Sequence, residues 1–193
     1  MRMIDESVSS RRRGSIHRRQ VVKLLALSAG TLLAGRLWAR SPLKTWRQAS
    51  DAELREILPA RAPVGHEHIE TEMRTASGIT DGHGEFVAGV VLITTGYAAN
   101  GKYSHFLTTQ IPLEVGTLAL APGEYVLGWE HGDTMLNVHF YDANTEALRG
   151  SAEARIIPGL TRVESFRLWS PQTKSILQIG RFGVRYAIGK SAQ

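Results

Sequence analysis

The densest run of reactive side chains is Gly65-His66-Glu67-His68-Ile69-Glu70-Thr71-Glu72. Side chains alternate along a strand, so a strand through this run projects His66, His68, Glu70 and Glu72 from one face. Two imidazoles two residues apart can chelate one divalent metal ion, with a further ligand from a neighbouring strand. The same four residues equally suit the water-facing side of an edge strand, with Ile69 and Met73 on the dry side. Ligands are defined by convergence in space, and the six histidines from His66 to His139 offer many combinations.

His66, His68, Glu72 and Gly78 also resemble the first cupin motif, whose core is HxHxxxE followed by Gly. That resemblance implies a small enzyme using one divalent metal, with His131 as the ligand expected from the second cupin motif. Aromatic residues give a second route to function. Tyr97, Tyr103, Trp129, Tyr141 and Trp169 fall at strand ends or outside the clearest inward registers. Rings in such places stack on a glycan or small ligand, dock a partner protein, or close the ends of a core. Trp129 stands out because Gly128 and Gly132 leave room beside it.

Several chemistries lack their signatures. The chain has no cysteine, so it has neither disulfides nor thiolate metal ligands. There is no G-x-S-x-G elbow, no P-loop and no dinucleotide fingerprint, since Gly82-His83-Gly84 lacks the third glycine and a following helix.

Charge argues about partners. The formal net charge is +5, but residues 1 to 39 hold eight Lys and Arg against two acidic residues, a balance of +6. The remaining residues carry 15 basic and 16 acidic side chains, a balance of −1. The basicity therefore belongs to the leader, and a nucleic-acid partner loses its electrostatic basis.

The leader has the three parts of an export signal. A polar, Arg-rich stretch ends at Arg19, and an apolar run from Leu24 to Ala34 follows that is too short for a permanent transmembrane anchor. Leu37-Trp38-Ala39 before Arg40 places cleavage after Ala39. His17-Arg18-Arg19-Gln20-Val21-Val22-Lys23 resembles the bacterial twin-arginine signal, an Arg pair followed by a variable residue, two hydrophobic residues and Lys. The resemblance, carried by Arg18, Arg19 and Lys23, implies handling by the twin-arginine translocation machinery, export after folding, and a periplasmic or secreted location.

The elements that must position any site are mostly strands. Ser50-Asp51-Ala52-Glu53 has the spacing of a capping box, and Leu54, Ile57 and Leu58 precede Pro59, so a short helix is expected over 51–58. Strand and turn signals then alternate. Asn100-Gly101 predicts a tight hairpin, Leu136, Val138 and Phe140 share one face, and Phe182, Val184, Tyr186 and Ile188 share another. The expected fold is all-β: an antiparallel β-sandwich of eight or nine strands, with a closed barrel second. Residues 1–39 form the cleavable leader, 40–62 a segment with the short helix, and 63–190 the β-domain.

Pro122-Gly123-Glu124-Tyr125 and Asp142-Ala143-Asn144-Thr145, with Leu148 and Gly150, resemble the PGxY and DxxTGxxLxG elements of transthyretin-like and carboxypeptidase-regulatory modules. Glu146 stands where those modules carry the turn Gly. The resemblance implies a secreted β-sandwich and brings no catalytic residue. Together these readings favour a non-catalytic binding or envelope-associated module with an unidentified envelope protein, glycan or small ligand as partner. The opposing class is the metal-dependent enzyme.

Overall fold

The structure is a computed structural model describing residues 45–189. Arg18, Arg19, Lys23 and the Ala39 cleavage position lie outside the described residues. Among the described residues, no helix is long and apolar enough to cross a membrane.

After a two-residue strand β1 (Arg47–Gln48), helix α1 spans Asp51–Ile57. Its start follows from the sequence: the Ser50 side chain accepts from the Glu53 amide, and Glu53 accepts from the Ser50 amide. Arg47 adds a paired contact to the same carboxylate at 2.6 and 2.9 Å. Strands β2 (Arg61–Val64), β3 (Glu67–Thr80), β4 (Phe86–Leu92) and β5 (His105–Thr109) follow. Next come β6 (Leu113–Val115), β7 (Leu118–Leu120), β8 (Gly123–His131) and β9 (Met135–Asp142). The last described strands are β10 (Leu148–Ile156), β11 (Glu164–Leu168), β12 (Ile176–Gly180) and β13 (Phe182–Ile188).

The fold is all-β and antiparallel with one short helix, as expected. The thirteen strands among the described residues exceed the expected eight or nine. The excess is β1, β2, β6 and β7, each of two to four residues, too short for a periodic pattern to mark. The strands lie in one continuous sheet ordered β1-β3-β4-β5-β8-β9-β10-β13-β12-β11, with β2, β6 and β7 as side pairings. This sheet curls until β11 lies beside β3 and β4, so it is nearly closed. A boundary at residue 62 falls inside β2, and β1, α1 and β2 are integral to the same unit.

Alternation sorts the residues into two cores. Leu107, Tyr125, Leu127, Val138, Phe140 and Val184 belong to the cluster inside the curled sheet. Leu54, Leu58, Ala88, Val90, Phe106 and Val126 belong to a second cluster, outside it, where α1 and β2 cover β3 and β4. Strand β4 therefore has no wet face, which is why Phe86-Val87-Ala88-Gly89-Val90-Val91-Leu92 is continuously apolar.

Strand β3 changes face partway. Glu72 pairs with Val91 and Ser77 with Gly89, so five steps along β3 answer two along β4. The excess of three is odd, and it turns odd-numbered residues from the outer cluster at Ile69 to the inner one at Ile79. Thr75 mends the ladder there, its hydroxyl accepting from the Val91 amide and donating to the Glu72 carbonyl.

Closure demands close approach. A Cβ on Gly89 would stand 2.5 Å from Phe166 Cζ and 2.9 Å from the Phe106 carbonyl oxygen. Gly89→Ala is therefore expected to lower stability by about 1–3 kcal/mol through overpacking, measured by equilibrium denaturation. An unchanged denaturation midpoint would show that β11 does not press on β4.

Candidate functional site

At the end of the curled sheet where β4, β8 and β12 finish and β5 and β11 begin, the wall leaves a half-open cleft of about 500 Å³. Trp129 continues the inward register of Tyr125 and Leu127, but near the end of β8 it runs out of core and stays 39% exposed. Val91, Leu92 and Ile179 supply the apolar lining beside it.

The floor is His105, only 2% exposed. It shares the inward face of β5 with Leu107, and its ring lies 5.1 Å from that of Trp129 and 5.4 Å from that of Phe166. Its Nε2 stands 3.1 Å from the Ser165 carbonyl, which only accepts, so Nε2 carries a proton and donates. Nδ1 stands 2.9 Å from Ser104 Oγ, whose one hydroxyl proton is shared with the Leu127 carbonyl 3.0 Å away. Burial pushes the imidazole down to about 4, against a smaller upward pull from the Ser165 carbonyl. His105 is thus a neutral strut between β5 and β11, two strands that are not neighbours in the sheet.

An adjoining hollow of about 310 Å³ is lined by His66, Glu67, Lys102, Tyr103 and Glu146, among others. Glu146 holds it together: its Oε2 accepts from Lys102 Nζ at 2.6 Å and from the Tyr103 hydroxyl at 3.0 Å. The Lys102 ammonium holds this carboxyl below its ordinary value, and the carboxylate raises that of Lys102 in turn. Glu146 has φ +56°, the left-handed conformation that Gly adopts without cost. The turn Gly missing from the DxxTG pattern is thus replaced by a side chain that anchors loop 93–104.

The expected site residues separate. His66 lies in the Gly65-His66 turn and not on β3, because Val64 pairs with Glu67. His68 is exposed on the strand. The carboxylates already have partners: Glu67 accepts from the Ala98 amide, Glu70 pairs with Arg61 and the Tyr97 hydroxyl, and Glu72 pairs with Arg74. His131 lies at the far end of β8, edge-on to Phe182. Among the described residues, no three His, Asp or Glu side chains converge to hold a metal ion, so His66, His68, Glu72 and His131 are not assembled into a centre.

The aromatic set divides. Trp129 and Tyr103 line the cleft, whereas Tyr97 packs against the outer core with its hydroxyl on Glu70. His105 is the residue that the sequence did not single out. Its one signal was a position two residues before Leu107 on a strand buried from both sides. Comparison with protein-family models, curated proteins and solved structures found no match.

Two outcomes check this geometry. The unfolded chain binds a proton on His105 near pH 6.5 and the folded one only near 4, so the contribution is complete above 6.5 and is lost as pH falls toward 4, by roughly 3 kcal/mol. Denaturation between pH 7 and 4 should show this slope, and His105→Phe should flatten it. At the turn, Glu146→Gly should be more stable than Glu146→Ala by about 1 kcal/mol, since both lose Lys102 and only Gly relaxes at positive φ.

Proposed function

We propose that this chain is an exported, non-catalytic binding protein whose cleft receives a small ligand against Trp129. The observation that carries the reading is a large aromatic ring left half-exposed on an inward register, above a buried and neutral histidine. Core rings at a sheet end are normally covered, and a roomy apolar cleft with a few polar groups is the usual form of a small-molecule site. Export rests on the twin-arginine resemblance at Arg18, Arg19 and Lys23, and on the absence of excess positive charge beyond residue 39. Both nitrogens of His105 are engaged within the protein, which suits a structural floor better than an acid or base.

Native mass spectrometry of protein recovered after export should show a small non-covalent adduct, and Trp129→Ala should lose it while keeping its circular dichroism. Adduct retained by Trp129→Ala would contradict the cleft reading. An Arg18→Lys, Arg19→Lys double variant should leave the uncleaved chain in the cytoplasm, and normal processing of that variant would contradict the export reading.

A further inference from the structure

We infer that the cleft takes an uncharged, largely apolar planar molecule, an inference that rests on the cleft being the binding site. The starting point is the lining itself. Among the described residues, no Asp, Glu, Asn, Gln or Arg side chain borders the cleft, and its ionisable members are Lys102, Tyr103 and His105.

None of the three offers a charge to a ligand in the cleft. His105 is neutral, with Nε2 on the Ser165 carbonyl and Nδ1 on the Ser104 hydroxyl. The Lys102 ammonium and the Tyr103 hydroxyl both meet Glu146, which lines the adjoining hollow and not the cleft. The Lys102 ammonium also lies 4.6 Å from the centre of the Tyr103 ring, a second contact within the protein that engages its charge.

Physical chemistry then selects among ligands. An ionic group would surrender its hydration without meeting an opposite charge, which is strongly unfavourable. A sugar would need paired donors and acceptors of the kind that carboxylate, amide and guanidinium groups supply, and beside main-chain groups and the three side chains above the described lining holds the hydroxyls of Ser165, Thr94 and Ser104, the last two already near Asn100 and Leu127, with the Trp129 indole N–H. What the cleft does offer is the exposed face of Trp129 with Val91, Leu92 and Ile179 around it. A flat apolar body fits that surface, and one hydroxyl or carbonyl on its rim can meet Ser165 or Thr94.

A matched pair of probes tests the charge directly. N-phenyl-1-naphthylamine is uncharged, and 1-anilinonaphthalene-8-sulfonate is the same framework with a sulfonate. Both brighten on leaving water. Titrated into the processed protein as recovered after export, the amine should saturate one site and the sulfonate should bind at least about 10-fold more weakly, the factor that 1.4 kcal/mol represents.

Trp129→Ala should weaken the amine by about 10-fold or more, while Trp129→Phe, which keeps a ring, should stay within about threefold of the parent. Thr94→Lys, which places a cation at the rim, should narrow or reverse the preference. Equal or tighter binding of the sulfonate by the parent chain would overturn the uncharged class and leave the cleft reading standing. Binding of both probes that is indifferent to Trp129→Ala, or no binding of either, would bring down the cleft reading and this inference with it.

Discussion

The sheet closes on itself across a seam that has no continuous ladder, and the chain bridges it with side chains. At the seam the Leu168 amide donates to Ser77 Oγ at 3.0 Å, a side-chain oxygen in place of a backbone carbonyl. Gln48 binds the same hydroxyl and the Gly78 carbonyl, tying β1 to this edge. Across the interior, His105 on β5 reaches the Ser165 carbonyl on β11. Each such bond contributes on the order of 1 kcal/mol, but leaving a buried partner unpaired costs more, so the seam is held mainly by what its opening would expose. The cleft depends on the same closure, since Ser165, Ile179 and Gly180 reach it from the strands beyond the seam.

Two layers of packing let this arrangement form. The inner cluster fills the curled sheet, and the outer one clamps α1, β2 and loop 93–104 onto the backs of β3, β4, β5 and β8. Loop 93–104 owes its place to Glu146, whose carboxylate grips Lys102 and Tyr103 and leaves room for no side chain at Gly65, where a Cβ would stand 2.2 Å from Glu146 Oε1. A residue in an unfavourable backbone conformation persists only when its surroundings over-determine it, and here two hydrogen-bond donors do so. The loop in turn carries Gly101, Tyr103 and Ser104 to the rim of the cleft.

Much of the fold was legible. The capping box fixes α1, and the alternations in β9 and β13 put Val138, Phe140, Phe182 and Val184 inside as their spacing requires. Asn100-Gly101 misled, because a tight hairpin needs positive φ at both residues and only Gly101 has it. Instead the chain winds through short turns, with Asn100, Lys102 and Tyr103 amides returning to Tyr97 and Ala99. The His-x-His run misled for a different reason. Side-chain alternation assumes a strand throughout, and the hairpin turn takes His66 out of it. The cleft was half legible: Trp129 stood out by its neighbours, whereas His105 acquires its role from Ser165, sixty positions away along the chain. No local pattern encodes such a pairing.

Closure brings distant segments together around one cleft, the site proposed for the ligand. The most direct measurement is an amide-resolved nuclear magnetic resonance titration with N-phenyl-1-naphthylamine. Shifts should appear together at Gly101, Gly128, Trp129, Ser165 and Gly180, which lie in four separate stretches of chain, with a common saturation point. Shifts confined to one of these stretches, or centred on His66 and His68, would contradict the proposed site.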